Sequence, residues 1–151
     1  MKRRHFLGAL AALAPEAVLA QAAPTYVQQS NSEALARTVT RSKPAEKARV
    51  RLELPILADN GNSVPMKVSV QSPMTEADHV KTIRLLSERN PETQMAVFHL
   101  GPRAGAAEIS SRVRLAGSQR VVALAEMSDG SYWMGTADVV VTLSACVDGT
   151  G

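Results

Sequence analysis

The sequence has few aromatic side chains: two Phe, two Tyr and one Trp in 151 residues. So few rings argue against a base-stacking surface for single-stranded nucleic acid. Histidine is also scarce. His5 falls in the leader described below, and His79 and His99 lie in different segments with no ligand pair at metal spacing. His99 sits between Phe98 and Leu100, the setting of a structural histidine. There is no G-x-S-x-G elbow, no H-E-x-x-H helix and no phosphate-binding glycine loop. Gly101-Pro102-Arg103-Ala104-Gly105 reads as a turn. No catalytic cluster for a stand-alone enzyme is visible, and neither a metal nor an organic cofactor is expected. Cysteine is reduced to one, Cys146, which excludes an intramolecular disulfide.

The first 22 residues read as an address. Arg3-Arg4-His5-Phe6-Leu7 is a twin-arginine pattern, a small-residue stretch follows from Gly8 to Ala14, and Ala20-Gln21-Ala22 offers a cleavage site. The apolar stretch is too short to span a bilayer and is interrupted by Pro15 and Glu16, which disfavours a permanent anchor. Export through the twin-arginine route is expected. Lys2, Arg3 and Arg4 against Glu16 place +2 of the net charge of +3 in residues 1–22, leaving +1 for the rest. Nucleic-acid binding therefore loses its electrostatic support.

Three regions follow from the pattern: a signal peptide at 1–22, a tether with a short helix at 23–44, and a β domain with a C-terminal cysteine segment at 45–151. In the second, Leu35 and Val39 are four apart on one helical face, and Lys43-Pro44 ends the helix. After Pro44 the period switches to two. Val50, Leu52 and Leu54 alternate with charged residues. Asp59-Asn60-Gly61-Asn62 is a turn, and Val64, Met66, Val68 and Val70 form the returning strand. Further strands are expected at Thr82–Leu86, Met95–Leu100, around Ile109–Leu115 and at Arg120–Met127. The last of these is apolar enough for a buried central strand. Ser128-Asp129-Gly130 is a tight turn, followed by a short Tyr132-Trp133 piece and a long strand over Ala137–Ala145. About seven strands with regular turn signals predict an all-β, immunoglobulin-like antiparallel sandwich with a short N-terminal helix; a small β-barrel is the alternative.

Cys146 is the residue with reactive potential. On the last strand Val139, Val141, Leu143 and Ala145 share one face, and Val140, Thr142, Ser144 and Cys146 share the other, more polar one. If the strand persists, the thiol points away from the core, close to the end of the sequence. A small apolar residue finishing a strand is the competing reading. Asp148 would raise the thiol pKa if it lay close, so an activating cation has to come from elsewhere in the fold or from a partner. Strict alternation also puts Arg112 and Arg114 together on the face of Ser110. There they are either a solvated face or a receiver for an anionic group.

Several segments together resemble the SoxY family, the thiol-based carriers of bacterial thiosulfate oxidation. They are Gly61-Asn62-Ser63-Val64-Pro65, Ser72-Pro73-Met74, Asn90-Pro91, Ser111-Arg112-Val113-Arg114-Leu115-Ala116, Ser118-Gln119, Ala125 to Gly130, and Val139 to Cys146. The resemblance implies a periplasmic, immunoglobulin-like protein without turnover of its own, working as a heterodimer with SoxZ. It implies that Cys146 holds the sulfur substrate covalently. The adduct is presented to a c-type cytochrome that attaches thiosulfate, a sulfohydrolase and a sulfane dehydrogenase. The best-known members end in Gly-Gly-Cys-Gly-Gly, whereas here Ser144-Ala145 and Val147-Asp148 flank the cysteine. A carrier with a shorter arm is one reading. A SoxZ-binding interaction module that has lost the carrier role is the other.

Overall fold

A computed structural model describes residues 32–41 and 43–145; the expected signal peptide at 1–22 and Cys146 lie outside the described residues. One helix, α1 (Ser32–Thr40), precedes nine strands: β1 (Ala45–Glu46), β2 (Val50–Glu53), β3 (Leu57–Asn60), β4 (Val64–Val70), β5 (Val80–Ser87), β6 (Gln94–His99), β7 (Ala107–Val113), β8 (Gln119–Met127) and β9 (Tyr132–Leu143). The larger sheet runs β1-β9-β8-β5-β6, with β3 also paired to β9; the smaller runs β2-β4-β7. This is the expected all-β sandwich with a short helix. It is antiparallel throughout except where β1 and β3 lie parallel along the outer edge of β9.

The two sheets meet face to face. Val50, Leu52, Val64, Met66, Val68 and Val70 come from one, Ile83, Leu85, Val121, Ala123, Ala125 and Met127 from the other, and all are buried. The opposite face of the larger sheet is also covered. Leu86, Val122, Leu124 and Met134 lie under α1, where Ala36 is buried and Leu35 and Val39 pack at the margin. β8 is thus buried on both faces, which is why its sequence is a continuous apolar run. α1 ends where Arg41 takes a left-handed φ of 54°, and the Thr40 hydroxyl caps the exit by donating to the Lys43 carbonyl at 2.7 Å.

Two elements differ from the sequence reading. β2 and β4 are antiparallel partners as expected, Val50 opposite Val70. The chain between them, however, crosses to the larger sheet as β3, with Leu57 opposite Val140 and Ala58 opposite Val141. Asp59 and Asn60 therefore belong to a strand, and the turn shrinks to Gly61-Asn62. The Tyr132-Trp133 piece and the last strand are one twelve-residue strand, β9. Gly135 is in its middle because β2 passes close: a Cβ there would stand 2.5 Å from the Val50 carbonyl oxygen.

The β8–β9 turn is held by Asp129, whose Oδ1 accepts from the Ser131 hydroxyl at 2.6 Å and the Ser131 N–H at 2.8 Å. These bonds hold the Asp129 carboxyl below the ordinary aspartate range.

Candidate functional site

The last described residues of β9 are fastened at one end of the sandwich by a ring of backbone hydrogen bonds. The Gly61 N–H donates to the Leu143 carbonyl at 2.7 Å, the Leu115 N–H to the Gly61 carbonyl at 2.8 Å, and the Ala145 N–H to the Leu115 carbonyl at 3.1 Å. Three segments remote in sequence thereby close on each other. Gly61 fits because it has no side chain: a Cβ would collide with the Leu115 carbonyl oxygen and come 3.0 Å from the Ala145 nitrogen. Leu115 anchors the ring from below, its side chain wholly buried in the core.

Side chains reinforce the ring. The Ser118 hydroxyl stands in for a ladder partner at Val141, accepting its N–H at 2.8 Å and donating to its carbonyl at 3.3 Å. Thr142 Oγ1 donates to the Asp59 carbonyl at 2.8 Å. Behind them lies a buried polar network. Ser87 Oγ donates to Gln119 Oε1 and accepts the Asn90 N–H at 2.8 Å. Asn90 Oδ1 accepts from the Ala116 N–H at 2.9 Å and Gln119 Nε2 at 3.0 Å, and Asn90 Nδ2 donates to the Arg114 carbonyl at 2.8 Å. Among the described residues no buried side-chain nitrogen or oxygen is left without a partner, so the network stabilises the 114–118 loop rather than straining it. Arg89 closes the group. Its Nη1 donates to the Ser118 carbonyl at 3.3 Å, and both Nη1 and the Ser144 hydroxyl lie 3.4 Å from the point where a Gly117 Cβ would stand.

The strand expected to run to Ala145 stops at Leu143, and Ala145 is in a bend. The reason is that β3 ends at Asn60, opposite Leu143, so the ladder closes with the Gly61 N–H on the Leu143 carbonyl and the Ala145 N–H turns to Leu115 instead. Cys146, one peptide bond further, lies outside the described residues. Val139 and Val141 face inward and Val140 and Thr142 outward, as the alternation predicts; Leu143 shares the parity of Val141 yet is 57% exposed, because the core has ended. Arg112 and Arg114 are exposed on the outer face, and Arg112 is engaged with Ser63, Nε to Oγ at 2.6 Å and Nη2 to the carbonyl at 3.2 Å. That contact braces the turn after Gly61. His99 is exposed at the end of β6, and His79 Nδ1 lies 3.0 Å from the Thr75 carbonyl, far along the chain from the ring. Among the described residues no three His, Cys, Asp or Glu side chains gather in a way that could hold a metal ion. Sequence reasoning read Gly61 as part of a turn and Leu115 as part of a strand, and assigned no part in a site to them or to Ser87, Arg89, Asn90 or Gln119. The available signal was the uncharged polar residues Ser87, Asn90 and Gln119 at strand ends where water would otherwise be excluded.

Fold and site define a β-sandwich protein with a tightly rooted C-terminal segment and a single thiol immediately beyond the root. The sequence profile described as sulfur oxidation protein SoxY matches residues 35–146, and the chain belongs to that family. No curated protein matches the sequence. Among solved structures, the sulfur carrier protein SoxY from Chlorobium limicola f thiosulfatophilum is 23% identical, with a TM-score of 0.59 over 72% of this chain and 90% of its own. Superoxide reductase (neelaredoxin) from Ignicoccus hospitalis is 17% identical, with a TM-score of 0.55 over 62% of this chain and 80% of its own. Superoxide reductase from Nanoarchaeum equitans is 12% identical, with a TM-score of 0.52 over 64% of this chain and all of its own. At these identities the likeness is one of fold alone.

Proposed function

We propose that the chain is a periplasmic sulfur carrier of thiosulfate oxidation, and that it holds the sulfur intermediate as a covalent adduct on Cys146. The observation that carries this reading is the extent of the family match, whose last residue is Cys146 itself. In the loading step the Cys146 thiolate and the sulfane sulfur of thiosulfate form one S–S bond. The thiol proton goes to solvent and two electrons go to a c-type cytochrome. A sulfohydrolase then adds water across the terminal S–S bond and releases sulfate, leaving a persulfide on Cys146, and a sulfane dehydrogenase takes six electrons from the outer sulfur to an electron-accepting protein while water supplies its oxygens. This chain contributes the attachment site and no turnover, and it works as a heterodimer with SoxZ.

The surroundings of the root suit an anion. Arg89, whose Nη1 donates to the Ser118 carbonyl at 3.3 Å, flanks Gly117 from the same side as the Ser144 hydroxyl, and a cation in that neighbourhood favours both a thiolate and a bound sulfonate.

The test is intact-mass analysis after incubation with thiosulfate and the oxidising cytochrome. Wild type gains one thiosulfate less the thiol proton. Cys146→Ser gains nothing and loses thiosulfate-dependent cytochrome reduction, while its melting free energy stays within about 0.5 kcal/mol, as for a surface substitution. Full activity in the Ser variant would replace this reading with that of a SoxZ-binding interaction module.

A further inference from the structure

Among the described residues two strands border the open side of the sandwich, β6 at the edge of the larger sheet and β7 at the edge of the smaller. They differ as edges. β6 meets β5 with a register shift at Leu85-Leu86, whereas β7 lies against β4 in unbroken register from Ala107 to Val113. Irregularities and prolines are the usual means of spoiling an edge for further pairing. β7 holds neither, and no glycine. Its two charged residues, Glu108 and Arg112, are exposed. They reject a neighbour that sets like charges against them and admit one that sets opposite charges.

The ladder fixes which backbone groups of β7 are free. The Gln71 N–H donates to the Arg49 carbonyl at 2.8 Å. With Val50 opposite Val70, this makes Arg51–Ser69 and Glu53–Lys67 the hydrogen-bonded pairs of β2 and β4, because such pairs alternate along an antiparallel ladder. Val64, Met66, Val68 and Val70 therefore turn their backbone groups the other way, to Val113, Ser111, Ile109 and Ala107 of β7. The N–H and carbonyl groups of Glu108, Ser110 and Arg112 are left pointing out of the open edge. The next outward carbonyl, at Arg114, is already taken by Asn90 Nδ2 at 2.8 Å. The free edge is thus short, with Ser110 at its centre.

We propose that β7 is the contact between two copies of this chain, paired antiparallel about a two-fold axis at Ser110. A two-fold contact must be complementary to itself, and this edge is. Centred on Ser110, the register sets Glu108 opposite Arg112 of the second copy, twice over. Centring on Glu108 or Arg112 sets like charges against each other. Centring on Ile109 leaves both charges without an opposite, and centring on Ser111 calls for the Arg114 carbonyl that Asn90 holds. On the outer face Glu108 then lies between Lys67 of its own chain, 2.8 Å away, and Arg112 of the second copy. On the inner face Ile109 falls opposite Ser111 of the second copy. Ser111 borders a groove of about 460 Å³ between β6 and β7, lined also by Met66, Met95, Phe98 and Val113, so each copy covers the other's groove. A companion of different sequence gives this edge no reason to be its own complement. The pairing also sends the two Leu115 roots to opposite ends of the dimer, so the proposal goes beyond the carrier reading and does not rest on it.

The test is sedimentation of the full mature chain over a range of concentrations, with residue-resolved amide exchange. Wild type should dimerise, and the amides of Glu108, Ser110 and Arg112 should slow as the dimer forms. Glu108→Arg and Arg112→Glu, each alone, should weaken the dimer about tenfold or more, since both pairs across the axis become repulsive. Mixed together, the two variants should pair with each other about as well as wild type pairs with itself. Ser110→Pro removes the central N–H from a strand edge that tolerates proline. It should weaken the dimer at least as much, and it covers the case of a charge variant that does not fold. A chain that stays monomeric at millimolar concentration would overturn the proposal. So would a dimer that the charge reversals and Ser110→Pro leave intact, or folded single variants that do not pair when mixed. Slow exchange at 108, 110 and 112 in the monomer would assign the edge to residues 1–31 of the chain itself, and slow exchange only on adding the companion subunit would assign it to that subunit. Either result removes the two-fold contact.

Discussion

Gly61 meets three constraints at one position. Its N–H and carbonyl close the ring with Leu143 and Leu115, and the absence of a Cβ leaves room for the Leu115 carbonyl. Gly61→Ala should cost about 1–3 kcal/mol as an overpacking substitution. It should also speed amide exchange at Leu115 and Ala145 well beyond the global change. Gly101→Ala is the matched control: nothing lies within 4 Å of its Cβ position and its φ is −150°. Urea melts with residue-resolved exchange would decide, and equal effects at the two glycines would remove the ring from the account. At this scale the sequence was legible in part. Alternation placed Val139 and Val141 inward and Val140 and Thr142 outward. It could not show that Leu143, of the same parity as Val141, lies past the end of the core. Period tells which face a residue takes and not where that face runs out of neighbours. The role of Gly61 was read only as a turn, since a close backbone approach from Leu115, more than fifty residues away, leaves no local trace.

β8 and α1 carry the argument at the scale of elements. The apolar run of β8 announced a strand buried twice over, and Leu35 with Val39 announced a helix with one apolar side. Nothing local said that the one covers the other. Ala36 is 2% exposed against Leu86, Val122, Leu124 and Met134. Ala36→Glu places an unpaired charge at that seam and should cost about 3 kcal/mol, the scale of a buried polar group left unsatisfied. α1 should detach while the two sheets remain. Loss of helical dichroism before the β signal in a urea titration is the expected reading; an unchanged midpoint would mean the helix contributes little. β3 was missed for a different reason. Four residues, Leu57-Ala58-Asp59-Asn60, hold one alternation and end on two turn-formers. They become a strand only because β9 offers a free edge.

For the molecule as a whole, the scattered segments that carry the family resemblance converge in space. Gly61–Ser63, Asn90, Arg112–Ala116, Ser118-Gln119 and Leu143–Ala145 meet at one end of the sandwich. Ser72–Met74 and Ser128 meet at the other, where the Ser72 hydroxyl donates to the Asp78 carbonyl and Ser128 Oγ accepts the His79 N–H. Their order was legible and their meeting was not, because it depends on pairings such as Thr142 with Asp59, 83 residues apart. The proposed export by the twin-arginine route rests on Arg3-Arg4 and the Ala20-Gln21-Ala22 site. Changing both arginines to lysine should leave unprocessed precursor in the cytoplasm, seen by fractionation and mass. Normal recovery from the periplasm would exclude the twin-arginine route.

The outer edge of β9 has one further consequence. A twelve-residue strand at the border of a sheet is a template on which a second molecule can polymerise. Here β1 covers Tyr132 and Trp133, and β3 covers Val140 to Leu143. Two short pieces from the first half of the chain thus act as stoppers against fibre growth. Until they dock, the newly made strand has an open flank, and the period between synthesis of β9 and docking of β3 is when the chain is most exposed to aggregation.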